Sequence, residues 1–533
     1  MNKNLYSQYS KDLDFSDVDH IVIGSGIGGL TAAVWLAKAG KKVVVLEKHY
    51  KPGGFMHSFE RKGFKWDTGV HYVGNVGKGE SLKGFFDLIT SSKVEWESMG
   101  EVYDIVKIGE DTYEFRAGEE AFRKQMIEYF PDEEQAINSY LKLIKKINAI
   151  GGAFFFEKTL KPFLSKTLGY FMRKRFFSLS NRTTLSVLSD LTTNKRLIRV
   201  LAGQFGNYGL TPTHSSFAAH SMVVGHFMNG GYYPKSGVDS ISEAILETLN
   251  TFGAKVYVNA NVEKILTKKS KVVGIQVNNS QVLCKSVISN VGVNNTFNSL
   301  LSQEDRLTCQ FDLKSVKPSI GHMCLYVGLD KSDAELKLPK HNIWLYDSDN
   351  FESVFMETEM KTVAQKSAYI SFPSAKDPNW SVEHPNTATI QVITMGRYHW
   401  FEKYKDRPVM KRGEAYEKIK QDYQDIMLNK IYNLYPQIKG HVVRTEVSTP
   451  LSTEHFSNYQ QGEIYGLEHS PERFALPFLR SETKIKGLRL VGQDIMMVGL
   501  AGAMLSGIFC ATTILKFRVW SLFKEMAEIK SID

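Results

Sequence analysis

A chain of 533 residues is too long for a single hydrophobic core, so more than one domain is expected. Its 43% hydrophobic and 23% charged residues are ordinary for a soluble globular protein. Four cysteines stand far apart with no C-x-x-C, which argues against a disulfide framework and against a thiolate metal site. The net charge is +9. The first residues, "MNKNLYSQYSKDLDFSDVD", are polar and carry no apolar signal core. In a bacterial chain that start keeps the folded body in the cytoplasm.

The first element is the short apolar run His20 to Ile23, which reads as a buried parallel strand. Gly24, Gly26 and Gly29 follow as G-x-G-x-x-G. The first glycine permits a tight turn, the second admits a pyrophosphate to the backbone, and the third lets helix and strand pack closely. A helix is predicted from Leu30 to Ala39 and stops at Gly40, and Val43 to Leu46 makes the next strand. Glu47 stands at its end, eighteen positions past Gly29, where a carboxylate binds both ribose hydroxyls of an adenosine. Strand, turn, helix, strand and acid in register predict dinucleotide binding. A 2′-phosphate would be repelled by Glu47, so NADP is disfavoured. Further on, Gly53, Gly54 and the run Asp67-Thr68-Gly69 offer more close backbone approach, as a flavin-bearing dinucleotide requires.

These segments, together with "GGYYPKSG", "FPSAKDPNW" and "LRLVGQDIMMVGLAGA", resemble the retinol saturase branch of the carotenoid desaturase and isomerase flavoproteins. The similarity runs from about residue 18 to about 518, with the motifs in the same order. It implies an α/β fold: a Rossmann-type, flavin amine-oxidase-like FAD-binding domain carrying an inserted α+β substrate domain. It also implies noncovalent FAD, a polyene or isoprenoid lipid substrate, and peripheral membrane association. By resemblance the cofactor contacts extend from Gly24, Gly26, Gly28, Gly29 and Glu47 to Lys48, Gly53, Gly54, Phe55, Met56 and His57. Val262, Gly492, Asp494 and Leu500 complete them, with Asp494 touching the ribityl–phosphate region.

In chain order, residues 1–80 begin the FAD domain and 81–228 read as mostly helical, carrying substrate and membrane contacts. The run "KTLKPFLSKTLGYFMRKRFFSLSNR", 158–182, holds seven basic residues, no acidic one and several aromatics, Phe171 and Phe176 among them. Cations interleaved with rings suit an anionic bilayer surface. No nucleic-acid recognition motif accompanies them. Residues 229–292 return to the cofactor through a glycine turn, a helix and a strand ending near Val262. Alternating runs such as "HMCLYVGL" and "TATIQVITM" predict a substrate sheet within 293–480. Residues 481–533 close the FAD domain and add a basic amphipathic tail. The uncharged stretch 496–515 is about long enough to span a bilayer. Recurring Gly and Ser favour a buried helix whose N-terminus faces the cofactor.

Saturation of a conjugated double bond takes a hydride from reduced flavin and a proton from an acid within reach of the substrate carbon. The resemblance implies that "DTGVHYVG" runs beside the flavin ring, which makes His71 and Tyr72 candidates; Tyr232 and Tyr233 in "GGYYP" are second candidates. His214, His220 and His226 recur every six residues, which does not align three ligands on one helix face, so no metal is expected. No second G-x-G-x-x-G appears, so electrons come from a diffusible or separate donor. Three readings stand: a polyene saturase, a carotenoid isomerase or desaturase of the same fold, and a non-enzymatic isoprenoid escort.

Overall fold

The computed structural model describes residues 5–160, 162–348 and 350–532. Lys161, one of the seven basic residues, lies outside the described residues.

Short strands, mostly apolar, form a six-stranded parallel sheet. Its order is Ser7–Gln8, Lys255–Val258, Val43–Leu46, His20–Ile23, Val287–Ser289, Leu488–Leu490. The four residues of His20–Ile23 and of Val43–Leu46 are all buried, as strands covered on both faces must be. Strands from near both ends and from the middle of the chain share this sheet, so the intervening segments leave it and return.

The helix after the glycine turn spans Ile27–Lys38, starting three residues before the predicted Leu30 because Gly26 already serves as its N-cap. Against it lies Gly499–Leu515, the uncharged stretch. A Cβ on Gly507 would stand 2.3 Å from the Gly28 carbonyl oxygen, so the small residues serve helix-to-helix contact. By length and composition the described run Gly499–Ile529 could cross a membrane. Its first half fills the space beside Ile27–Lys38, with Met504, Ile508, Cys510 and Ala511 buried. Val262 opens a strand of its own, Val262–Thr267, in a separate three-stranded antiparallel sheet; the strand predicted to end there stops at Val258.

A second, seven-stranded sheet has the order Val442–Ser448, Gly321–Leu329, Ala388–Gly396, Ser367–Ser371, Asn342–Tyr346, Val102–Ile108, Asp111–Arg116. Its last two strands come from the region read as mostly helical, where charged residues break the apolar alternation ("VYDIVKI", "DTYEFR"). The period-two rule sorts its faces. Met323, Leu325, Val327, Ile343, Ile370 and Val392 point one way, into a core closed by Tyr423 and Met427 of the helix Glu414–Leu434. Cys324, Ile393 and Tyr369 stand in cross-strand register and point the other way, joined by Trp344 opposite Tyr369. That second face walls a large cavity. Helices such as Glu134–Glu157, Leu168–Ser180 and Phe217–Phe227 pack on an aromatic core that they share with this sheet through Val106, Trp344 and Tyr346.

Candidate functional site

One continuous cavity runs from the glycine turn to the aromatic face of the seven-stranded sheet. Fourteen of the fifteen residues expected at a cofactor line it; Gly29 does not. A Cβ on Gly29 would fall 2.5 Å from the Gly24 carbonyl oxygen, so its missing side chain lets the turn close on itself.

The turn fits a dinucleotide on three counts. Gly24 has φ +90°, which favours glycine. The helix Ile27–Lys38 has no side-chain cap at Gly26 and no acid in its first turn, which leaves its N–H groups open to an anion. Glu47 is held at the strand end: one carboxylate oxygen accepts from Ser25 N (2.8 Å) and Ser25 Oγ (2.6 Å), the other from His49 N (2.8 Å). Asn290, which the motif search missed, braces the turn: its Nδ2 donates to Gly26 O (3.2 Å), and a Cβ on Gly26 would strike it at 2.9 Å. It follows the strand Val287–Ser289, and a polar residue closing a buried strand was the available signal.

Gly53 (φ +120°) and Gly54 (φ +58°) turn the next segment back onto the first glycines, a Gly54 Cβ falling 3.0 Å from Gly26 Cα. His57 stays neutral because burial lowers its pKa to about 4. Lys48 Nζ donates to Asn458 Oδ1 (2.7 Å) at the mouth. Asp494 is only 3% exposed, and its two oxygens accept from Val293 N and Leu467 N, both at 2.8 Å. It ties two loops together and does not cap the helix Gly499–Leu515, whose N-cap is Val498.

The proton-donor candidates separate. His71 lines the cavity; its Nδ1 is buried without a hydrogen-bond partner. Burial first, then the nearby Lys376 and His322, push its pKa down to about 3, so the imidazole is neutral. Tyr72 lies outside the cavity wall: its hydroxyl donates to Asp104 Oδ2 (2.8 Å) and its ring stacks on Phe227. Tyr233 donates to the buried carboxylate of Asp67, and Tyr232 points to Glu80 at 3.4 Å. Neither tyrosine of "GGYYP" reaches the cavity. The three spaced histidines also part: His220 sits between Tyr140 and Tyr208, His226 accepts from Gly74 N, and His214 lies beside Glu352.

The far wall of the cavity is aromatic, with Phe205, Trp344, Tyr346 and Tyr369, and nothing in the motifs singled these out. Three polar groups there are buried without partners: His322 Nδ1, the Tyr369 hydroxyl and Gln391 Oε1. Such a wall suits an elongated, mostly apolar ligand with few polar points.

A family model described as flavin containing amine oxidoreductase matches residues 27–515. The all-trans-retinol 13,14-reductase of Danio rerio is 33% identical over 526 residues, covering 94% of this chain and 86% of its own length. Prolycopene isomerase 1, chloroplastic, of an Oncidium hybrid cultivar is 27% identical, covering 95% of this chain and 85% of its own. Cyclohexylamine oxidase from Brevibacterium oxydans IH-35A superposes with a TM-score of 0.62 at 14% identity, over 95% of this chain and 99% of its own. At that identity the likeness speaks for the fold alone.

Proposed function

The chain belongs to the flavin-containing amine oxidoreductases, in the branch of the all-trans-retinol 13,14-reductases, and from that premise we propose that it is an FAD-dependent enzyme saturating a carbon–carbon double bond of a retinoid or related polyene. The observation that carries this reading is the single cavity, glycine-cradled at one end and aromatic-walled at the other. FAD supplies the hydride chemistry when bound. The open N–H groups of Ile27–Lys38 hold its pyrophosphate and Glu47 its adenosine ribose. Trp344, Tyr346 and Tyr369 orient the polyene by apolar burial and exclude water. His71 meets the substrate as a neutral imidazole, able to donate or accept one hydrogen bond but not to act as a standing imidazolium acid. Reducing equivalents come from a separate or diffusible donor.

The test is a panel of polyenes offered anaerobically to the chemically reduced protein, with products weighed. A product heavier by two hydrogens is expected. Products of unchanged mass and altered geometry would make the protein an isomerase and overturn the reading.

The polyene comes from a bilayer surface that the protein touches through 163–175. Tyr170 and Phe171 are exposed, Phe171 at 67%, beside Phe163, Leu168 and the exposed cations Lys166, Lys174 and Arg175. The patch is smaller than the sequence suggests. Phe176 is fully buried against Phe154. Arg173 pairs with the buried Glu157, which Arg480 also reaches at 2.7 Å; Lys158 lies over Phe154 and Phe155, and Arg182 pairs with Asp190. Each free cation near an anionic surface contributes about 1 kcal/mol. Changing Lys166, Lys174 and Arg175 to glutamate, with Arg173 kept, should abolish sedimentation with anionic liposomes and leave the flavin absorbance intact. Undiminished pelleting would move the contact elsewhere, for example to the exposed Phe517 and Trp520.

A further inference from the structure

Behind the cavity wall at His71 lies a closed network of buried polar groups. Lys376, from the "FPSAKDP" run, is 1% exposed. Its ammonium donates to the His71 carbonyl oxygen (3.0 Å), to Ser371 Oγ (2.7 Å) and to Asn342 Oδ1. Asn342 passes the network on, its Nδ2 donating to Asp104 Oδ1 at 2.9 Å. Asp104 is fully buried, and its other oxygen accepts from Gln204 Nε2 (2.6 Å), Tyr72 OH (2.8 Å) and Trp344 Nε1 (3.0 Å). The ring of contacts therefore begins on the His71 main chain and returns on the Tyr72 side chain. It fastens both residues of that loop to the substrate sheet.

Burial of one cation and one anion about an amide is costly unless every donor and acceptor is used. Here three donors of the ammonium and both oxygens of the carboxylate are used. Networks of this kind fix geometry more than they add stability. What they fix is the main chain that carries the His71 ring, the one candidate donor that lines the cavity. Its neighbours are Lys376 behind, His322 from Gly321–Leu329, and Tyr369 from Ser367–Ser371 with ring centroids 5.4 Å apart.

We propose that Lys376 is a positioning residue for the saturation reaction: through Asn342 and Asp104 it locks the His71–Tyr72 loop to the substrate sheet and so sets the orientation of the His71 imidazole. Lys376 does not line the cavity, so it acts through His71 and not on the substrate. Burial lowers its own pKa to about 7, against the pull of Asp104 and Asp67, so its charge is present below neutrality and fades above it.

The inference rests on the polyene saturase reading, and its test has one arm that needs no turnover. In Lys376→Met holoprotein the His71 ring signals, identified in isotope-labelled protein by loss in His71→Gln, should titrate higher once the cation is gone. With a reducible polyene, kcat should fall about 100-fold with KM little changed, as for a misplaced group in the reaction geometry. Should the single variant fail to fold, Lys376→Met/Asp104→Asn removes both buried charges together. Its folding yield should recover while kcat stays low. Unmoved His71 titration in the folded variant, or a double variant with the parent's kcat, would overturn the proposal. Absence of polyene reduction in the parent would sink the functional reading alone, since the titration arm stands by itself.

Discussion

Glu47→Ala is expected to weaken FAD binding about 100-fold, the worth of one to two charge-assisted hydrogen bonds. The carboxylate has two tasks. It holds the glycine turn by accepting from both Ser25 N and Ser25 Oγ, and it holds the following loop through His49 N. Alanine leaves these donors without an acceptor and takes away the ribose partner. Ser25 Oγ also accepts from Gly53 N (3.0 Å), so the disturbance spreads to the second glycine turn. Glu47→Gln keeps one carbonyl oxygen and should lose less. Titration of apoprotein with FAD reads both variants. Parental affinity in Glu47→Ala would remove the strand-end carboxylate from the binding site.

Asp494→Ala should lower the melting temperature of apoprotein and holoprotein alike. Val293 N and Leu467 N would each be left buried without an acceptor, a cost of about 1–3 kcal/mol apiece. Protein stabilities total about 5–15 kcal/mol, so the loss is large. Arg473 aggravates it: buried, and pushed down to about 10 by that burial, it is held up chiefly by Asp494. The position admits no easy repair, since a Cβ on Gly466 would already stand 1.9 Å from Asp494 Oδ1. Asparagine restores one acceptor only. A variant with parental apoprotein stability and weakened FAD binding would return Asp494 to the role its motif suggests, a cofactor contact before a loop clamp.

The cofactor half of the site was legible because its signals are local. Gly24, Gly26, Gly29 and Glu47 lie within one βαβ unit, where spacing along the chain fixes spacing in space. The aromatic half was not, because it is assembled across sheet registry. Tyr369 meets Trp344 and Ile393 only through strand pairing between segments far apart in sequence. Lys376 sits in a run noticed for its resemblance, yet its partners Asn342, Ser371 and His71 come from three separate elements. Tyr72 was a candidate because the resemblance runs its segment beside the flavin ring, with Tyr233 second to it, but each spends its hydroxyl on a buried carboxylate, Asp104 and Asp67. The strands Val102–Ile108 and Asp111–Arg116 were hidden because each carries charge within its run: Asp104 there is a buried network residue and not a surface one. The exposed part of the basic, aromatic run was misjudged for a similar reason. Composition counted Arg173 and Phe176 with the exposed patch, but packing buries Phe176 and ties the half-buried Arg173 to Glu157.

The central claim is that electrons stored on the bound flavin pass into a carbon–carbon double bond held at the aromatic wall. It is tested most directly by a single anaerobic turnover: flavin reduced once, excess donor removed, one polyene added, absorbance and product mass followed together. The account predicts that the oxidised-flavin bands return in step with a product two hydrogens heavier, one equivalent per flavin. Bands that stay bleached across the whole retinoid and carotenoid panel, or that return with no change in polyene mass, would contradict it.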